Sequence, residues 1–166
     1  MTKFQKIVPC LWFDTQAEDA AKFYVAVFER NSRITRVSHY GEAGREIHGR
    51  TPGSVMTVAF ELEGVPFTAL NGGPDFKFNE AISLQVMCDS QDEIDRFWTK
   101  LGKGGDEKAR QCGWLKDQFG LSWQIVPSVL PEMVADPDRA KADRVMTALF
   151  KMKKLDIAAL KSAYAG

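Results

Sequence analysis

"VPCLWFDTQAEDAAKFYVAVF", residues Val8 to Phe28, decides the fold because the chain writes it twice. Its echo is "ISLQVMCDSQDEIDRFWTKL", residues Ile82 to Leu101. Each copy opens with a short run of strand type and stops at an aspartate, Asp14 or Asp89. Each continues with a capping box, Thr15 to Glu18 or Ser90 to Glu93, whose hydroxyl and carboxylate suit the free amides of a helix start. The helices that follow carry apolar residues at i, i+3, i+4 and i+7. These are Ala20, Phe23, Tyr24 and Val27 in the first, and Ile94, Phe97, Trp98 and Leu101 in the second. A stripe of that period packs one helix face on a sheet.

The likeness extends beyond the helices. "ELEGVPFTALN" (Glu61 to Asn71) and "KDQFGLSWQIVP" (Lys116 to Pro127) each read as a glycine turn, at Gly64 or Gly120, followed by a strand. Aligning the two glycines sets Thr68 opposite Gln124. The first copy is longer by a Gly-rich polar loop, "YGEAGREIHGRTPGS", Tyr40 to Ser54. Each module therefore reads strand, helix, then three strands, and neither closes a core alone. The predicted class is α+β, with tandem βαβββ modules over residues 3–75 and 76–127 of a single domain spanning 1–166. Residues 128–166 form a helical tail. Asp136-Pro137 reads as a helix start, Val145, Leu149 and Met152 form a stripe, and a second short helix follows Leu155 with Ile157, Leu160 and Tyr164 apolar.

The totals narrow the function. Of 166 residues 45% are hydrophobic, and 22 Lys+Arg balance 22 Asp+Glu. Zero net charge argues against nucleic acid as a partner. No apolar run approaches the ~18 residues of a membrane span, and "MTKFQKIVPCLWF" lacks a signal-peptide pattern. Cys10, Cys88 and Cys112 are odd in number and without CxxC spacing, which suits reduced thiols in a cytoplasmic protein.

The repeat resembles the vicinal-oxygen-chelate superfamily, which includes glyoxalase I, fosfomycin-resistance and bleomycin-binding proteins. "PCLWFDTQAEDAAKFY", "ALNGGP" (Ala69 to Pro74), "DQFGLSWQIVP" and the tail together look like its PhnB-like branch, whose members are often labelled 3-demethylubiquinone-9 3-methyltransferase. The resemblance implies curved mixed sheets around a cavity, a small-molecule ligand and a homodimer. Metal-using relatives place His or Glu on the first and last strands of each module. Carried over, those positions hold Val8, Pro9 or Cys10, then Thr68, Ser83 and Gln124. A hydroxyl, a carboxamide and a thiol make a poor set for a divalent ion, so neither metal nor other cofactor is expected.

Strand alternation puts Ile82, Leu84, Val86 and Cys88 on one face, and Ser83, Gln85 and Met87 on the other. The second face, with Cys10, Trp12, Thr68, Trp114 and Gln124, is the candidate ligand-binding lining; the alternative is that these residues only fill the sheet's concave side. Trp123 and Ile125 belong to the core. No acid–base or nucleophile–base pair is evident, and catalysis stays open. Three readings follow: a metal-free binder of a small organic molecule, a divalent-metal enzyme using donors such as Glu46 and His48, and a methyltransferase as the family label says. For the last, the turn "FDTQAED" lacks the glycines of a nucleotide-type cofactor loop. For the second, "GREIHGR" reads first as solvated surface.

Overall fold

The computed structural model describes residues 5–166, so residues 3 and 4 of the expected first module lie outside the described residues. The chain divides into two compact units between Lys77 and Phe78.

The first unit runs β1 (Cys10–Phe13), α1 (Ala17–Phe28), β2 (Arg33–His39), α2 (Arg45–His48), β3 (Val55–Leu62) and β4 (Val65–Asn71). Its sheet has the order β1-β4-β3-β2, with β1 parallel to β4 and the other pairs antiparallel. Glu63 and Gly64, both with positive φ, make the two-residue turn joining β3 to β4; the left-handed pair matches strand twist. Phe13, Val58, Phe60, Leu62, Phe67 and Ala69 are buried on the face that meets α1, together with Ala20, Tyr24 and Val27 of the stripe. Tyr24 and Phe60 stack at 6.2 Å between ring centres.

The expected capping box on α1 does not form. The cap position is Gln16, without a side-chain bond, and the amide of Ala17 instead donates to Asn71 Oδ1 at 2.8 Å. Asn71 also donates from Nδ2 to the Val55 carbonyl at 3.0 Å, so one buried carboxamide ties α1, β3 and β4 together. In the second copy the cap does form: Glu93 N–H donates to Ser90 Oγ, and Glu93 Oε2 accepts at 2.8 Å from the N–H of Asp89, one residue before the cap.

The second unit runs β5 (Ser83–Cys88), α3 (Gln91–Gly102), a 3₁₀ turn at Glu107–Ala109, β6 (Trp114–Lys116) and β7 (Ser122–Pro127). Its sheet order is β5-β7-β6, again with first and last strands parallel. Two strands, not three, therefore follow α3; the expected extra strand shrinks to one bridge between Gln111 and Trp114 around the left-handed pair Cys112-Gly113. Val86, Cys88, Ile94, Phe97, Leu101, Leu115, Trp123 and Ile125 are buried. Ile82, expected with them, precedes β5 and is 72% exposed. Asp117 is also buried. Its carboxylate accepts from Phe119 N–H, Leu121 N–H and Trp123 Nε1, which fixes the "DQFG" turn before β7.

The tail forms α4 (Leu130–Val134), α5 (Arg139–Leu149) and α6 (Ile157–Ala165). Helix α5 starts two residues beyond the expected Pro137, with Asp138 accepting from Ala140 N–H. Val145, Leu149, Leu155 and Leu160 bury against Val126, Leu130 and Met133, with Met152 packed alongside. Gln91 clamps the tail to the start of α3, donating to the Leu155 carbonyl and accepting from Ile157 N–H.

Candidate functional site

Both parallel strand pairs keep the same register. Cys10 sits beside Thr68 on β1 and β4, and the equivalent Gln85 sits beside Gln124 on β5 and β7. The sequence alignment of Thr68 with Gln124 is therefore reproduced in three dimensions. In both units these residues lie on the face turned away from the helix: Thr68 and Gln124 are each the less covered residue between two buried neighbours.

On the second unit's open face the register brings Gln85, Gln124 and Trp114 into one row. Gln124 Nε2 donates to Ser83 Oγ at 2.7 Å, and Gln85 Nε2 donates to Gln124 Oε1 at 3.4 Å. The chain has a direction: Ser83 is left with a hydroxyl hydrogen to give, and Gln85 with a carbonyl oxygen that accepts. Gln85 is exposed, while Ser83, Trp114 and Gln124 are half-buried. One further group escaped the sequence reading. Ser122, opposite Ser83, is 1% exposed, and its hydroxyl has no hydrogen-bond partner. Leaving a hydroxyl unpaired and dry costs about 1–3 kcal/mol. Alternation from Gln124 could have placed it on this face, but not its burial. Lys116, beside Ser122 on β6, reaches Glu80 at 2.5 Å, and its hydrogen bond holds that carboxyl below its ordinary value.

On the first unit's open face Cys10 is exposed, Trp12 and Thr68 half-buried. Desolvation pushes the Cys10 thiol up, so it favours the neutral form. Trp12 Nε1 donates to the Gly73 carbonyl at 2.8 Å, and Phe76 meets the indole edge-on at 4.9 Å. "NGGP" now has a reason: a Cβ on Gly72 would fall 2.3 Å from the Trp12 ring.

The donors at the carried-over positions do not fit a divalent ion. Thr68, Ser83 and Gln124 are neutral, and Cys10 is a lone thiol whose pKa desolvation raises. Among the described residues no group of three or more His, Cys, Asp or Glu could hold a metal ion. Glu46 and His48 sit in the short helix α2. His48 Nδ1 accepts from Arg50 N–H at 2.9 Å, and its ring lies 4.6 Å from that of Tyr40.

Two units, each with a helix on one face of a mixed sheet and its first and last strands paired in parallel, define a glyoxalase-type fold of the vicinal-oxygen-chelate superfamily. Residues 5–126 match the family described as 3-demethylubiquinone-9 3-methyltransferase, and the chain belongs to that PhnB-like family. A PhnB protein from Bacillus cereus, which carries the same methyltransferase designation provisionally, is 33% identical; the match covers 74% of this chain and 99% of that one, with a TM-score of 0.62. Protein PA1353 from Pseudomonas aeruginosa is 18% identical over 75% of this chain and 98% of its own, with a TM-score of 0.56. The fosfomycin resistance protein FosX from Mesorhizobium loti is 15% identical over 80% and 100%, with a TM-score of 0.53. These last two share the fold. No protein of curated function matches the chain. Among the described residues no helix is long and apolar enough to cross a membrane.

Proposed function

We propose that the protein binds a small, neutral, partly aromatic organic molecule on the open face formed by Ser83, Gln85, Trp114 and Gln124, without a metal ion. One observation carries the reading: Ser83 and Gln124, which the resemblance sets at metal-ligand positions, are joined instead with Gln85 in a hydrogen-bonded row. Its free ends ask for a carbonyl-type acceptor at Ser83 and a hydroxyl or N–H donor at Gln85. Trp114 supplies a flat apolar wall beside them. Cys10, Trp12 and Thr68 give the first unit an equivalent face, and the protein acts as a homodimer in the cytoplasm. The methyl transfer named in the family designation is not supported by these elements. Asp14, Thr15 and Gln16 join β1 to α1 without a glycine, and neither sheet is the parallel, doubly wound type.

Gln124→Leu tests the proposal. Native mass spectrometry of the purified protein should show a bound small molecule that the variant loses. Stability should fall by only about 1–2 kcal/mol, since the variant loses the 2.7 Å bond to Ser83, which can turn to water, and the long 3.4 Å bond from the exposed Gln85. Equal occupancy in the variant, or no bound molecule together with a much larger loss of stability, would assign Gln124 a purely structural role.

A further inference from the structure

The loop that reads as polar surface in the sequence encloses a pocket of about 400 Å³ on the α1 side of the first sheet. Thr15, Glu18 and Asp19 from the start of α1 form one wall, and Arg50, Thr51 and Ser54 form the other. The loop is pinned in place. Tyr40 N–H donates to the Ser54 carbonyl and the Tyr40 carbonyl accepts from Gly53 N–H, Ser54 Oγ donates to the Thr51 carbonyl, and Tyr40 Oη donates to the Asn71 carbonyl at 2.7 Å. Arg50 is held from both ends. Its backbone amide donates to His48, and its guanidinium lies so close to Gly73 that a Cβ there would sit 2.7 Å from Nη2.

Arg50 is largely covered, with 21% of its side chain exposed, yet its ion-pair partner Asp14 stands 3.6 Å away. A charge-assisted bond of full strength needs about 2.7–2.9 Å. The guanidinium is thus positioned but poorly satisfied. The facing wall carries the opposite sign, with Asp19 and with Glu18, which pairs with Lys22 at 2.8 Å. A simple anion entering this pocket would meet Glu18 and Asp19. A simple cation would meet Arg50. A molecule with both charges satisfies both walls.

We propose that this pocket is a second binding site, for a small amino-carboxylic zwitterion. The ligand's carboxylate would sit on Arg50 and accept from the Thr51 or Thr15 hydroxyl, while its ammonium group donates to Asp19 and Glu18. The pocket lies on the opposite face of the sheet from Cys10, Trp12 and Thr68, because Asn71, which lines it, bonds to the α1 amide.

The test is an amide chemical-shift titration of the full chain with glycine, β-alanine and γ-aminobutyrate, which set the two charges at increasing separation. Acetate and ethylammonium serve as single-charge probes. At least one amino-carboxylate should saturably shift the Thr15, Thr51 and Ser54 amides. Arg50→Gln should weaken that binding about tenfold or more, the loss of one charge-assisted bond. Should Arg50→Gln fail to fold, Asp19→Asn, at an exposed helix position, should weaken it as well. Gln124→Leu should leave it unchanged, which separates this site from the open face of the second unit. No saturable shift with any of the three, equal response to acetate or ethylammonium alone, or undiminished binding in a folded variant would overturn the proposal.

Discussion

Asn71→Leu removes a side chain that does the work expected of Thr15. Leucine keeps the same number and branching of side-chain heavy atoms, so the change deletes hydrogen bonds rather than opening a cavity. Two bonds go: Ala17 N–H to Oδ1 at 2.8 Å and Nδ2 to the Val55 carbonyl at 3.0 Å. Asn71 is 6% exposed and Ala17 fully buried, so water does not readily replace the lost partners. Each bond contributes about 1 kcal/mol net, and an unsatisfied buried donor or acceptor adds a penalty of about 1–3 kcal/mol. The expected loss is about 2–4 kcal/mol, or roughly 4–16 °C in melting temperature for a chain of this size. Thr15→Ala is the matched control, because Thr15 makes no capping bond to α1 and should cost under about 0.5 kcal/mol. Urea denaturation of both variants, followed by far-ultraviolet circular dichroism, measures the difference. A larger loss from Thr15→Ala than from Asn71→Leu would refute the account of how α1 begins.

Gly105→Ala would set a Cβ 1.8 Å from the Lys116 carbonyl oxygen, so backbone must move; a loss of about 1–3 kcal/mol is expected, and unchanged urea stability would contradict it. The tail clasp should loosen at both ends of the pH scale. The Tyr164 hydroxyl holds Asp136 below the ordinary aspartate value, so this contribution is complete above that value and is lost as pH falls through the lowered one. Asp136 in turn raises Tyr164, whose contribution is complete below the ordinary tyrosine value and is lost as pH rises through the raised one. Tyr164→Phe should flatten both limbs of stability against pH, and unaltered limbs would exclude the clasp. Light scattering should give a dimer mass at micromolar concentration, and a monomer mass would defeat the homodimer reading.

Local pattern was enough wherever neighbours in sequence are also neighbours in space. The stripes Ala20–Val27 and Ile94–Leu101 need only the helical period, and the two glycine turns need only a left-handed backbone. The Ser90 cap closes within a few residues. The repeat offset set Thr68 level with Gln124, because both units pair their outer strands in one register. Strand alternation likewise turned Ser83, Gln85 and Gln124 away from the buried Trp123 and Ile125. What the tertiary structure alone decided depends on residues far apart in the chain. A capping box at Thr15 is as good a local pattern as the one at Ser90, yet Asn71 satisfies the amide from 54 positions away. The second unit's missing strand turns on Cys112-Gly113, a turn so tight that only a bridge precedes it. Arg50 reads as one more surface charge until the fold lays it on Gly73 and brings α1 opposite. Periodicity reports which way a side chain points, but the distance to its partner is set only when the chain closes on itself.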